Sequence, residues 1–414
     1  MRNFIAIHKT GFRLLKRIHS VDSVIIPIHL LKVFFSLVRV YAGLFLTAEM
    51  IDSLLGGNYR QAAEMALALL LAELAAGAAI SAIKSKTKGY DHKIWLVFYV
   101  WLREKAFSMD YETMENPEVA EKILYSERTA DMYGSLGVLL YHYCNILEAM
   151  LNVLFASFLV IGLCLSKPVQ TGGWMEKAAS PIFSLLLFLG VMAGMALCCA
   201  RVFEKFAAKQ MELFGSHTGV ENKLSCLLGQ IYENPRAAKI VRIYDMAQMI
   251  LENTAGFIEK SLAFFRSMYD VQRKEGDANK VVGSVFTVCA YLLVAVKTVT
   301  GAITVGAFTR YAGAMNQFGN ACFSIIESHG RLREICTYMQ EFLAFLDTEN
   351  LHAKGSIPVE KRTDGAYELA YEHVSFHYPG SDVMVLRDVN CKLNIRGKLA
   401  VVERNGAGKT TFIK

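Results

Sequence analysis

The sequence predicts an all-α membrane domain of six transmembrane helices with long cytoplasmic helical extensions, followed by the β-rich start of an incomplete α/β domain. Three observations predict it. The 414-residue chain is 53% hydrophobic and only 20% charged, with a mean hydropathy of +0.30. Its apolar residues gather in runs long enough for the ~20 residues that cross a bilayer. From about residue 366 the apolar spacing changes to strict alternation, the period of a strand.

The apolar runs cover about 24–53, 61–83, 135–165, 178–200, 281–299 and 303–328. Between the second and third, and between the fourth and fifth, lie long charged stretches, 84–134 and 201–280. Within them residues 91–109 and 223–252 keep apolar residues at helical spacing, Ile240, Ile243, Met246 and Ile250 among them. This predicts helices that continue out of the membrane and fold back. Lys and Arg placement orients the chain. The N-terminal segment carries Arg2, Lys9, Arg13, Lys16 and Arg17, and 84–134 carries eight basic residues from Lys84 to Arg128. The short loops hold little: Arg60, Lys167 with Lys177, and Lys297. The N-terminus, both long stretches and the C-terminal segment are therefore expected in the cytoplasm of a multi-pass plasma-membrane protein. Residues 1–22, with Phe4, Ile5, Phe12, Leu14 and Leu15 among basic residues, read as an interfacial amphipathic helix.

Other classes find little support. A net charge of +6 without a basic stripe excludes nucleic acid as a partner. The nine cysteines are scattered and read as small apolar fillers, without metal or redox spacing. No cleavable signal pattern opens the chain.

The C-terminal part reads as strands, "YELAYEHVSFHYPG" and "VMVLRDVNCKLNIRGKLAVVE", the second closing on a short strand Leu399–Val402. That strand runs into Asn405, Gly406, Ala407, Gly408, Lys409, Thr410 and Thr411. This is nearly a Walker A loop, G-x-x-x-x-G-K-[ST], in the required strand–loop–helix order. Small residues let backbone N–H groups turn toward phosphate oxygens, Lys409 meets the terminal phosphates of ATP, and the Thr410 hydroxyl ligates Mg²⁺. The second domain is thus expected to be an α/β P-loop nucleotide-binding domain. Glu403 stands where the first glycine should, and a carboxylate beside phosphates predicts weakened affinity, partly offset by Arg404.

Six spans with two cytoplasmic extensions, then this strand-rich opening and P-loop, resemble a type I ABC exporter over nearly the whole chain. "MDYETMENPEV" (109–119), with Asp110, Asn116 and Pro117, resembles the family's first coupling region. "NPRAAKIVRIYD" (234–245), with Arg236 and Lys239, resembles the second. "TGAITVGAFTRYAGAMNQF" (300–318) resembles the tight outer turn into the sixth span, and "VSFHYPG" (374–380) the segment whose aromatic, here Tyr378, stacks on adenine. The resemblance implies a transmembrane domain at 23–330, a helix and linker at 331–365, and a nucleotide-binding domain that opens at 366 and runs to residue 414. It implies export of a solute driven by ATP and Mg, and a homodimer or heterodimer with a second half-transporter in the bilayer. The family's Walker B strand, catalytic glutamate, signature motif and switch histidine are not among these residues, so no catalytic residue is assigned and the chain alone is expected not to hydrolyse ATP. It reads as cut off just after Walker A, a fragment or the remnant of a broken gene. The alternative function is a nucleotide-impaired membrane component that shapes a translocation path.

Ionisable residues inside spans are costly and mark function or packing. Arg39, Glu73 and Glu148 fall mid-span, and Arg310 lies in the outer third of the sixth. Either they line a substrate cavity, or Arg39 pairs with a carboxylate across the bundle and Arg310 snorkels outward. Gly190 and Gly194 form a G-x-x-x-G expected to allow close helix approach.

Overall fold

The computed structural model describes all residues except 1, 111–112, 115, 134–135, 170–173, 228, 230, 232–233, 351–362, 379–380, 382, 397, 403–407 and 414. Helices run in the order α1 (Arg2–Val21), α2 (Ile25–Leu55), α3 (Tyr59–Ser108), α4 (Pro117–Tyr133), α5 (Leu136–Leu165), α6 (Trp174–Ala178), α7 (Pro181–Leu227), α8 (Pro235–Ile243), α9 (Ala247–Val299) and α10 (Val305–Leu346). Two strands follow, β1 (Ala366–His377) and β2 (Met384–Arg396), and then α11 (Lys409–Ile413).

Each apolar run becomes a helix, and the charged stretches continue those helices. α3 extends 25 residues beyond the apolar run that ends at 83, and α9 begins well before residue 281. Turn chemistry sets the hairpins. Between α2 and α3, Gly57 takes φ +76°, and the Asn58 side chain accepts from the Gln61 N–H at 3.3 Å, capping α3. Between α9 and α10, Gly301 takes φ +71°, and the Ala302 N–H returns to the Lys297 carbonyl at 3.0 Å.

Among the described residues five helices are long and apolar enough to cross a membrane: α2, α3, α5, the first part of α7, and α9. α10 occupies the place of the expected sixth span but is not one of the five, since Arg310, Asn316, Gln317 and Asn320 dilute its apolar character.

The chain divides into two compact units. The first comprises Met1–Ile26, Thr87–Tyr141 and Leu332–Lys414. Its buried side chains include Leu14 and Ile18 of α1, Phe98 and Leu102 of α3, and Phe342 and Phe345 of α10. Phe98 packs on Phe342 with ring centroids 4.5 Å apart. α1 is a 20-residue helix held here by one face. Its Arg13 pairs with Asp347 at 2.6 Å, and Arg17 lies over the Trp101 ring at 5.8 Å. The second unit, Pro27–Lys86 and His142–Arg331, has its core where Leu163, Phe188, Met192, Phe286 and Leu293 meet, with α7 packed along α9. In lipid such a core is held by van der Waals fit rather than by expulsion of water.

Three sequence expectations need correction. Residues 398–402 form no strand, and Val402 is 90% exposed. A short apolar strand needs a neighbour to take its backbone hydrogen bonds, and among the described residues β1 and β2 pair only with each other. Among the described residues of this chain no helix comes close at Gly190 or Gly194, because a Cβ at either would meet nothing within 4 Å. The tight glycines are Gly306 against Ala48 and Asp52, Gly313 against Leu44, Gly319 against Phe286, and Gly330 against Phe203. Lys297 is not a loop charge: it lies in the last turn of α9 and is fully buried.

Candidate functional site

β1 and β2 form an antiparallel hairpin in register from Ala366 opposite Arg396 to His377 opposite Met384, with irregularities after Tyr371. The chain then returns so that α11 lies against it. The Tyr371 hydroxyl donates to the Phe412 carbonyl at 2.6 Å, and the two rings stack with centroids 4.5 Å apart. Tyr378 and Thr411 share a hydrogen bond of 3.0 Å between hydroxyls. The aromatic expected to stack on adenine and the threonine expected to end the phosphate loop are thus together, although 33 positions apart in sequence. Gly408 has φ +107°, a conformation side chains rarely adopt, and a Cβ there would crowd Val385 at 3.3 Å. Lys409 is half-buried and Thr410 is exposed. Asn405, Gly406 and Ala407, with Glu403 and Arg404, lie outside the described residues. The donor set that is described, a lysine and a threonine hydroxyl after a left-handed glycine, suits a magnesium–phosphate group.

The segment expected to be the first coupling region is built around side-chain caps. The Asp110 carboxylate accepts from the Thr113 N–H at 2.7 Å. Asn116 accepts from the Glu118 N–H at 2.9 Å, with Pro117 in the first position of α4. The end of α10 ties into this turn. Asn350 accepts from the Asp110 N–H at 3.2 Å and donates to the Ser108 carbonyl at 3.1 Å. In the second region Asn234 caps α8 through the Arg236 N–H at 3.0 Å. α8 has no buried residue, so Arg236, Lys239, Ile240 and Ile243 all lie exposed.

Within the second unit, Arg39 and Glu73 are ion-paired at 2.7 Å. Both line a cavity of about 490 Å³ with Ser36, Thr309 and Gln317. Glu148 accepts from the Ser36 hydroxyl at 2.6 Å and does not line that cavity. Arg310 lies over the rings of Phe45 and Tyr311, at 5.3 and 5.0 Å, with its Nε buried and without a hydrogen-bond partner. A second cavity of about 480 Å³ opens between α7, α9 and α10, with Glu275, Lys280, Glu327 and Arg331 on its wall. Sequence reading missed it, because its residues come from three helices and its charged groups, Glu275, Lys280, Glu327 and Arg331, stand at or beyond the ends of the apolar runs. The polar spacing Asn316, Asn320, Glu327 along α10 was the available signal. Asp52 was also missed: it accepts from the Thr304 hydroxyl at 2.6 Å and the Gly306 N–H at 2.7 Å, joining the end of α2 to the start of α10.

Long apolar helices with polar extensions, followed by a two-stranded hairpin and a short helix, define a helical membrane protein with the start of a second, strand-bearing segment. No family model matches the chain. The chain is similar to ATP-dependent transport proteins. The subtilin transport ATP-binding protein SpaT of Bacillus subtilis is 22% identical over 385 residues, 90% of this chain and 56% of that protein. The ATP-dependent lipid A-core flippase of Yersinia pestis bv. Antiqua (strain Antiqua) is 30% identical over 110 residues, 27% of this chain and 18% of that protein. The flippase of the same name from Escherichia coli (strain K12) is 27% identical over 115 residues, 28% of this chain and 19% of that protein. The chain thus spans about half the length of SpaT.

Proposed function

We propose that this chain is the membrane half-subunit of an ATP-driven exporter, paired with a second half-transporter and moving a solute out of the cytoplasm. The observation that carries the reading is the approach of Tyr378 to Thr411 across the hairpin. It puts an aromatic ring beside the residues that would hold the phosphates, where a purine could stack. In this reading Lys409 holds the terminal phosphates, Thr410 supplies the hydroxyl for Mg²⁺, and Asn405, Gly406, Ala407 and Gly408 let backbone N–H groups approach. Bound Mg·ATP supplies the free energy of closure and hydrolysis. Asp110, Asn116 and Pro117, with Arg236 and Lys239, form the surfaces that receive the motion, and Arg39 and Glu73 face the solute. The residues that would activate water in this family fall outside these 414 positions.

The test is equilibrium binding of a fluorescent ATP analogue with Mg²⁺ to the complete polypeptide in nanodiscs. Lys409→Ala should weaken binding at least tenfold, about 1.4 kcal/mol, and Tyr378→Ala should weaken it less. Binding indifferent to Lys409 would overturn the reading. Glu403 supports the second reading, a nucleotide-impaired partner subunit. Under it the parent chain binds the analogue poorly and Glu403→Gly restores binding.

A further inference from the structure

We propose that the cavity between α7, α9 and α10 is a binding site for a single-chain zwitterionic amphiphile. The proposal rests on the exporter reading and names the class of solute.

The wall is sorted by chemistry along the helices. At one end stand Glu275 and Lys280 of α9 with Glu327 and Arg331 of α10, two acids and two bases. A headgroup of one sign would meet as many like charges there as opposite ones, whereas a headgroup carrying both signs can face each with its complement. Gln210 donates to Glu275 at 3.0 Å and fixes that carboxylate. Asn279 also lines the cavity, with a buried Oδ1 that no protein donor reaches. Such an atom costs free energy until a donor arrives. The next band is mostly apolar, Met195, Phe286, Phe323 and Ile326 with the amide of Asn320 among them. Beyond it Thr287 donates to Asn316 at 3.2 Å.

The space depends on two glycines. Phe286 lies over Gly319 and Phe203 over Gly330, so that any side chain at either position would displace a ring. A volume of about 480 Å³ suits one drug-sized molecule or a single alkyl chain with its headgroup.

The experiment uses the full chain in maltoside micelles, with native cysteines replaced and a reporter introduced by Asn320→Cys on the cavity wall. Maleimide labelling is timed with added dodecylphosphocholine, dodecyl sulfate or dodecyltrimethylammonium. Dodecylphosphocholine at about four times its Kd should slow labelling about fivefold, as 1 + [L]/Kd requires. The singly charged amphiphiles should protect less at equal concentration. Lys280→Gln with Glu327→Gln should abolish the preference. A second reporter, Gln272→Cys, repeats the measurement should the first disturb folding. Equal protection by all three, or none by dodecylphosphocholine, would overturn the proposal. Nucleotide binding is read separately through Lys409, so loss of the exporter reading would show there while the labelling result stood.

Discussion

Lys297 shows how much one side chain decides. Its ammonium is buried, with Nζ donating to the carbonyls of Cys164 at 3.1 Å and Ser166 at 2.7 Å. Carbonyls at the end of a helix lack intrahelical donors, and a cation there also meets the negative end of the helix dipole. Beside it the Val169 N–H donates to the Thr300 carbonyl at 3.0 Å, so α5 and α9 are joined at one end. Lys297→Met should leave both carbonyls unsatisfied and cost about 1–3 kcal/mol, read as a lowered midpoint in thermal unfolding; an unmoved midpoint would mean that water replaces the ammonium. The charge count along the sequence put Lys297 in a loop, because a basic residue closing an apolar run reads as a membrane boundary. Nothing local records that a neighbouring helix ends beside it. Cys336, by contrast, lies as a cysteine in an apolar setting should: burial pushes its thiol up to about 11. At pH 8 it should resist maleimide in the folded chain and react only on unfolding.

At the scale of elements, α1 is a clasp whose strength depends on pH. The hydrogen bond from Arg13, more than simple charge attraction, holds the Asp347 carboxyl below its ordinary range. A lowered carboxylate pKa stabilises the folded form above the unfolded value, and that contribution fades as pH falls through the folded one. Hydrogen exchange in residues 2–21 should therefore be pH-independent in its protection near neutrality and lose protection below the ordinary aspartate range. Asp347→Asn should remove that step. The effect is small, because both side chains are about half exposed and solvent screens the pair. Much at this scale was legible in the sequence. The helical spacing of Ile240, Ile243, Met246 and Ile250 foretold helix but not the break at Tyr244–Met246 that separates α8 from α9, and Asn234-Pro235 marks the start of α8 by cap and N1 proline. The Leu399–Val402 strand was misread because a strand depends on partners distant in sequence, and alternation alone does not supply them. The approach of Tyr378 to Thr411 was foreshadowed only by family likeness, since no periodicity relates the two positions.

For the whole molecule the decisive matter is which side of the bilayer each extension occupies. Apolar runs fix how many helices are long enough to cross; they say nothing of direction, and α10, which carries Arg310 and three amides in its first half, falls short of the other five in apolar character. Direction rests on the basic residues alone, because Lys and Arg resist translocation while acids contribute little. The segments 84–134 and 201–280 are rich in them, and the connections at 56–60 and 166–180 are poor. The exporter reading needs the same arrangement for a separate reason: the turn at 109–116 and helix α8 must meet a nucleotide domain, and that domain follows the linker at the end of α10. Two independent arguments therefore converge on one topology, and a single mapping experiment tests both. In a chain whose native cysteines are replaced, Glu118→Cys and Lys239→Cys should stay unlabelled by an impermeant maleimide on intact cells and react after lysis. Asn58→Cys and Lys177→Cys should react on intact cells. Labelling at 118 or 239 before lysis would separate those segments from any ATP-driven motor in the cytoplasm. The nucleotide-coupled reading would then fail even with the helices and the P-loop left as they are.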